Sequence, residues 1–310
     1  MSSLSRSLCV GFLLVTSGGT RCLAQSKAIP GAAASPVFKS RTDLVALDVS
    51  IEHQAGRVVP VLTADDFQVL EDNVPQKLTV FSAEGRLPMA VTLLIDQSQS
   101  MDGERLDRAK AAAAALLHTL GPDDLVEILA FNDDTIRLYP LGSDHSAAEQ
   151  ATSGLSPGGA TALYDAVLVG LRDLQHALRG RTDCQKAIVI LSDGEDTASR
   201  EIFEDVLEDA RRTDIAIDAV SLRTDKRDHS LPPVHELTQL ASDTGGRAVA
   251  VHRLADLVPV YEDIGAELGH RYRLGYVSSS TIDDGRWRRI SVRIANRDVV
   301  ARTRAGYYAN

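Results

Sequence analysis

The sequence has few of the features that usually assign a protein at sight. It holds three cysteines in 310 residues, at positions 9, 22 and 184. Two fall in the first 24 residues, so a chain shortened there keeps Cys184 alone and has no internal disulfide to staple it. Cys184 precedes a strand-like run with no helix start and no cationic histidine pair beside it, which argues against a reactive thiol. No segment reaches the roughly 18–20 apolar residues of a membrane-spanning helix. The eight histidines show no HExxH or paired spacing, so a zinc site is not expected. A G-x-S-x-G elbow and a Ser-His-Asp order are both missing. Positive charge is also scarce: the net charge is −10 with no basic stripe, and an acidic chain repels phosphate backbones, which excludes nucleic acid as a partner. What is left is an ordinary globular composition, 44% hydrophobic and 25% charged, long enough for one large domain or two modest ones.

The N-terminus differs in kind from the rest. Arg6 supplies a positive start, Leu8 to Val15 a short apolar run, and Cys22-Leu23-Ala24 a small-residue ending before Gln25. That order predicts a secretory signal peptide over 1–24 and an exported chain, periplasmic or extracellular. Its removal takes away Arg6 and Arg21 and no acid, making the remainder more acidic still. Residues 25–40, rich in Ala, Ser and Pro, read as a linker.

Three textures follow. Over 41–87 the pattern is β-like. Val45, Leu47, Val49 and Ile51 alternate with polar or weakly apolar neighbours, and Phe67–Leu70 and Leu78–Phe81 add two short strands with Asp72-Asn73 as a turn between them. Over 88–269 the period changes. Ala90–Ile95 is nearly unbroken apolar, as in a strand buried on both faces. A helical stripe follows (Leu106, Ala109, Ala113, Leu117, Leu120), stopped at Gly121-Pro122. Strand and helix then alternate: strands at Leu125–Phe131, Ala187–Leu191, Ile215–Leu222 and Ala248–Val251, helices at Ala162–Leu178, Glu201–Arg212, Val234–Ser242 and Leu254–Leu268. Such alternation predicts a doubly wound, mainly parallel α/β sheet of Rossmann type. Over 270–310 the texture returns to β, with strands at Tyr272–Val277, Trp287–Ile294 and Val299–Arg304 and a turn at Asp283-Asp284-Gly285. Neither flank buries much by itself, so we expect the two to pair as halves of one small β-sandwich with the α/β domain inserted between them.

Open α/β sheets place ligands at the carboxyl ends of their strands. There the first strand gives Asp96-Gln97-Ser98-Gln99-Ser100, a carboxylate and two hydroxyls at alternate positions. Gly158-Gly159-Ala160-Thr161 delivers a hydroxyl just before a helix, and Ser192-Asp193-Gly194 delivers a second carboxylate. Hard oxygen donors from three loops suit a divalent cation such as Mg²⁺. The plainer reading of Asp96 or Ser98 is a helix cap. Asp102 and Glu104 read as first-turn acids facing the helix dipole, and Glu195 and Asp196 as solvated loop acids. Tyr164 and Asp165 fit second-layer support and ordinary packing equally well. Trp287 and the C-terminal tyrosines read as β-domain packing.

The Asp-x-Ser-x-Ser, Thr and Asp elements, in that order and strand context, resemble the metal-ion-dependent adhesion site of the von Willebrand factor type A family, over about 88–269. The stretches Leu62–Phe67, Gly158–Asp165 and Ala305–Ala309 are similar to a bacterial exported subgroup first noted in acidobacteria. The resemblance implies a Rossmann-like fold and a metal site of Asp96, Ser98, Ser100, Thr161 and Asp193, holding Mg²⁺, or Mn²⁺ or Ca²⁺ in its place. Ser98, Ser100 and Thr161 would touch the ion, and Asp96 and Asp193 would bind it directly or through water. With only two carboxylates the ion keeps an open position for an Asp or Glu of a protein partner. It further implies an adhesion or scaffold protein rather than an enzyme, with no catalytic residues. Two alternatives remain: an envelope structural or assembly module whose metal only stabilises it, and a metal-dependent hydrolase. The latter would want a second carboxylate two residues after Asp96 as acid/base, where Ser98 stands.

Overall fold

The computed structural model describes residues 44–52, 62–83, 88–181, 184–192, 196–222, 232–280, 284–295 and 299–309. The signal peptide and linker expected over 1–40, the carboxylate at Asp193, the acid at Glu195 and the turn residue Asp283 lie outside them. The described residues from Leu44 onward belong to one compact unit, Thr42–Asn310.

The centre is a six-stranded sheet in the order β10-β9-β8-β5-β6-β7. Its strands are β5 (Met89–Asp96), β6 (Leu125–Phe131), β7 (Thr135–Gly142), β8 (Gln185–Ser192), β9 (Ala216–Leu222) and β10 (Ala248–Val251). All neighbours are parallel except β6 and β7, which are antiparallel. The unbroken apolar run of β5 has a direct cause. Val91, Leu93 and Ile95 face a core shared with α1 (Glu104–Thr119) and α6 (Leu257–Leu268), while Ala90 and Leu94 face one shared with α3 (Leu163–Ala177), α4 (Phe203–Arg211) and α5 (Pro232–Thr244). Each fully buried Val, Leu or Ile contributes about 1.5–3 kcal/mol, so a strand with two apolar faces anchors both helix layers. A short helix, α2 (His145–Thr152), is capped by Asp144, whose Oδ1 accepts the Ala147 N–H at 2.9 Å.

The flanks build two four-stranded sheets, β13-β1-β11-β4 and β14-β12-β2-β3. Their strands are β1 (Leu44–Glu52), β2 (Phe67–Glu71), β3 (Val74–Gln76), β4 (Leu78–Ser82), β11 (Tyr272–Val277), β12 (Trp287–Ile294), β13 (Val300–Arg302) and β14 (Gly306–Tyr308). Each sheet mixes the two ends of the chain. β1 pairs β11 with Leu47 opposite Leu274, and β2 pairs β12 with Val69 opposite Val292. The inward set of β1, Val45, Leu47, Val49 and Ile51, packs with Phe67, Val69, Leu274, Tyr276 and Ile290 in one core. The architecture is therefore a Rossmann-like α/β sheet inserted between the halves of a small β-sandwich.

Two local expectations need correction. The Asp72-Asn73 turn, with φ of 46° and 67°, joins β2 to β3, not to β4. Such doubly positive φ is the two-residue hairpin geometry that Asp and Asn tolerate. β4 leaves for the other sheet and pairs β11. At the C-terminus one strand becomes two, β13 and β14, in different sheets.

The sandwich also grips the α/β layer. Trp287 and Tyr308 meet edge-on at 5.0 Å, and the guanidinium groups of Arg211 and Arg212 lie 5.5 Å and 4.3 Å from their ring centres. The Tyr308 hydroxyl donates to Glu208 at 2.5 Å. The C-terminal aromatics thus pack as expected, and against α4 as well.

Candidate functional site

Asp96 closes β5 and Ser192 closes β8, the adjacent parallel strand. The chain runs from β5 outward to β6 on one side and returns to β8 on the other, so the order of the sheet reverses between these two strands. That is the crevice where open α/β sheets take ligands. The Asp96 carboxylate is buried and spans the crevice: Oδ2 accepts the Ser192 hydroxyl at 2.6 Å, and Oδ1 accepts the Ser98 N–H at 2.8 Å. The second contact is a local Asx turn, so Asp96 does not cap α1, which begins eight residues later behind Gly103.

The loop after Asp96 is fixed at both ends. Met101 is fully buried in the core under α1, and a single turn of 3₁₀ helix, Gln99–Met101, carries the chain to it. Ser98 starts that turn without a side-chain cap bond. Its hydroxyl lies 2.9 Å from the Ser100 hydroxyl. Ser98 is 1% exposed, whereas Ser100 opens to solvent. Asp102 lies outside α1, and Glu104 sits in its first turn, where the helix dipole favours a carboxylate.

The second loop is laced to the first by backbone. Gly158 N–H donates to the Gln97 carbonyl at 2.9 Å, and Gln99 N–H to the Gly159 carbonyl at 3.0 Å. Gly159 has φ +79°, and a Cβ there would stand 2.1 Å from an Asp133 carboxylate oxygen. Asn132 and Asp133, on the turn after β6, hold this loop from behind. Asn132 Nδ2 donates to the Gly158 carbonyl at 2.9 Å, Asp133 Oδ1 accepts the Ala160 N–H at 3.2 Å, and the Ala162 N–H reaches the Asn132 carbonyl at 2.7 Å. Thr161 is 4% exposed, and its side-chain hydroxyl makes no hydrogen bond among the described residues.

The third loop is tied to the second. The Thr161 carbonyl accepts the Thr197 and Ala198 N–H groups at 2.8 Å and 3.1 Å, and the Thr161 N–H donates to the Thr197 hydroxyl at 3.0 Å. Asp196 is no solvated acid, contrary to expectation. Its carboxylate accepts the Tyr164 N–H at 3.1 Å, the Ser199 N–H at 3.2 Å and the Ser199 hydroxyl at 2.5 Å. Asp165 accepts the N–H groups of Arg200 and Glu201, at 3.1 Å each on Oδ1. Both acids therefore clamp the stretch after Asp193 onto the start of α3. The Tyr164 hydroxyl donates to Glu236 on α5; burial first, then that carboxylate, raises its pKa far above the phenol range.

Asp96, Ser98, Ser100 and Thr161 thus sit on loops bonded to one another, and the chain is bonded to the same frame at Ser192, before Asp193, and at Thr197, after it. The sequence reading missed Asn132, Asp133, Ser192 and Thr197. These residues supply backbone bonds and a carboxylate contact to the frame, and only their position just after a strand or loop end hints at it. Among the described residues, no three His, Cys, Asp or Glu side chains gather as metal ligands. The candidate oxygen donors among the described residues are the Asp96 carboxylate and the hydroxyls of Ser98, Ser100 and Thr161.

The family profile of the von Willebrand factor type A domain matches residues 91–195. Among curated proteins, an uncharacterised protein of Synechocystis sp. is 33% identical over 113 residues, covering 36% of this chain and 26% of its own length. The human voltage-dependent calcium channel subunit alpha-2/delta-3 is 32% identical over 120 residues, covering 34% of this chain and 11% of its own. The chain thus spans about a quarter or less of the curated relatives it matches. Among solved structures, a von Willebrand factor type A protein from Catenulispora acidiphila superposes with a TM-score of 0.53 at 15% identity, over 88% of this chain and 74% of that one, a likeness of fold.

Proposed function

We propose that this chain, whose residues 91–195 match the von Willebrand factor type A domain, is an exported protein-binding module whose crevice holds one divalent cation. Domains of this family typically mediate protein–protein interaction. The reading put forward is that the cation, bound by Asp96, Ser98, Ser100, Thr161 and Asp193, presents an open position to an Asp or Glu of a partner.

One observation supports the reading: the loop after β5, which carries Asp96, Ser98 and Ser100, is bonded by backbone to the loop before α3, and the Thr161 backbone of that second loop is bonded in turn to Thr197 and Ala198. The donors fit a small hard ion. Mg²⁺ binds oxygen at about 2.0–2.1 Å in an octahedron, which sets neighbouring ligands about 3 Å apart. The Ser98 and Ser100 hydroxyls are 2.9 Å apart, an ordinary hydroxyl contact that also matches one edge of that octahedron. Ca²⁺, at about 2.3–2.6 Å, would need a wider pair. Thr161 is a buried residue whose hydroxyl has no partner among the described residues, which leaves that oxygen available to a ligand. Asp96 brings negative charge, and its contacts to Ser192 and the Ser98 N–H fix its orientation, as supporting bonds do around metal ligands.

What the chain's own residues do in this reading is bind and orient. Hydroxyls donate weakly and leave the ion electrophilic when bound, so an incoming carboxylate gains a charge-assisted contact. Asp133, Asp165 and Asp196 keep the three loops from spreading.

Titration calorimetry tests it. Mg²⁺ or Mn²⁺ should bind one equivalent to the purified chain, and Ser98→Ala or Thr161→Ala should weaken that binding at least about tenfold, on the scale of one lost contact to a charged group. Capture of partners from envelope extract should fail in EDTA and return with Mg²⁺. Capture indifferent to EDTA, with the ion still bound by the untreated protein, would leave a stabilising role only.

A further inference from the structure

A second cavity lies at the opposite end of the α/β sheet, under the first sandwich sheet, far in the chain from the loops above. It encloses about 390 Å³ and is lined by Asp48, Cys184, Asp214, Arg271, Arg273 and Arg304 among others. Three guanidinium groups around one cavity are unexpected in a chain of net charge −10.

The charges do not cancel. Asp48 is taken by Arg273, at 2.9 Å and 3.3 Å. Asp214 is taken by Lys186, whose Nζ reaches both carboxylate oxygens at 3.0 Å and 2.9 Å. Arg271 has a side chain only 5% exposed. It forms a buried ion pair with Asp218 at 3.7 Å, too long for a hydrogen bond, and makes no side-chain hydrogen bond among the described residues. Its Nε is buried without a partner. Arg304 forms no ion pair among the described residues. Its Nη2 donates to the Ala46 carbonyl at 2.9 Å, its guanidinium lies 5.7 Å from the Tyr307 ring centre, and its Nε too is buried and unpartnered. Burial pushes the Arg304 guanidinium down from its ordinary value, against the pull of Asp214 and Asp48.

A buried guanidinium donor without a partner is costly. Arg271 makes no side-chain hydrogen bond among the described residues and Arg304 makes one, to Ala46; the donors left over at one cavity wall, both Nε groups among them, ask for an acceptor that carries charge. We propose that this cavity is a binding site for a small oxyanion, a carboxylate or a phosphate, held by Arg304 and Arg271. The planar forks of two arginines match the paired oxygens of such groups. A volume of 390 Å³ lies at the lower end of small-molecule sites, which limits the ligand to something like a short dicarboxylate or a phosphate ester. The proposal is independent of the cation site: none of its residues touches the three loops, and EDTA should leave it unaltered.

The test is titration of the purified full chain with sodium phosphate and, separately, sodium succinate, each against sodium chloride at equal ionic strength. At least one should bind with a Kd of about 1 mM or tighter, equally with and without EDTA, and the arm that responds identifies the source of the oxygens. Arg304→Met should weaken binding about tenfold or more, and Arg304→Lys, which keeps charge but loses the fork, should fall between. Cys184, at the wall of the cavity, gives a readout in the unmutated protein: the responding anion should slow its alkylation. If neither salt binds the wild-type chain at 10-fold above that concentration, or if binding survives Arg304→Met unchanged, the assignment is wrong.

Discussion

Gly159 is where backbone, sequence and site meet most tightly, and Gly159→Ala makes the sharpest test of the frame around Thr161. The residue sits at φ +79°, where a side chain costs about 1–2 kcal/mol. A Cβ would also stand 2.1 Å from Asp133 Oδ2. Asp133 is exposed and can swing away, but doing so gives up its 3.2 Å bond from the Ala160 N–H, worth about 1 kcal/mol. The sum is about 2–3 kcal/mol. Gly180 supplies the control. Its φ is +78°, yet nothing lies within 4 Å of its Cβ position, so Gly180→Ala should cost only the backbone part. In a unit of this size each kcal/mol moves the melting temperature by about 2–4 °C, so Gly159→Ala should melt about 2–4 °C below Gly180→Ala in calorimetry. Adding Asp133→Ala to Gly159→Ala should cost less than the separate losses combined, since both remove one bond. Equal losses for the two glycine variants, or strict additivity with Asp133→Ala, would mean that Asp133 does not hold this loop.

Glu71 is buried in the sandwich and accepts the hydroxyls of Tyr276 at 2.8 Å, Ser278 at 2.6 Å and Tyr307 at 3.0 Å. Glu71→Ala should therefore cost about 3 kcal/mol in urea unfolding, and Tyr276→Phe about 1 kcal/mol. Trp287→Ala, which removes the aromatic seam against α4, should cost about 2 kcal/mol, and hydrogen exchange should show faster opening in α4. Glu127 is held above the usual carboxylate range by burial and by Asp173, against the pull of Thr92 and Arg137. A carboxyl with a raised pKa favours the folded state while protonated and loses that advantage as pH climbs through the raised value. Wild type should therefore lose stability relative to Glu127→Gln as pH rises above the ordinary glutamate range; a gain on that rise would reverse the assigned sign.

The parts of the fold that were legible are those where one physical demand acts on every residue of an element. β5 had to be apolar throughout because helices cover both its faces, and β1 had to alternate because only one face meets the sandwich core. Residues 132–157 gave no such signal. β7 is an edge strand with no buried residue and with Pro140 within it, which edge strands tolerate and pattern reading discounts. α2 is a short helix in which Ala148 and Thr152 are buried, too few to set a period. At the site, the positions of Asp96, Ser98 and Ser100 just after β5 and of Thr161 just before α3 were legible from the pattern of strands and helices. Asn132, Asp133, Ser192 and Thr197 were not, because each acts through a contact between segments distant in the chain. Asp196 was misjudged in part for the same reason: the Tyr164 N–H reaches it only once α3 and the third loop have met, while Ser199 closes on it within the loop.

The central claim is that oxygens from three loops enclose one hard cation. Crystals of the chain soaked in Mn²⁺ and measured at the manganese edge test it with least intervening inference. The account predicts a single anomalous peak bounded by Asp96, Ser98, Ser100, Thr161 and Asp193. A map with no peak there, or manganese bound only elsewhere on the surface, would contradict it.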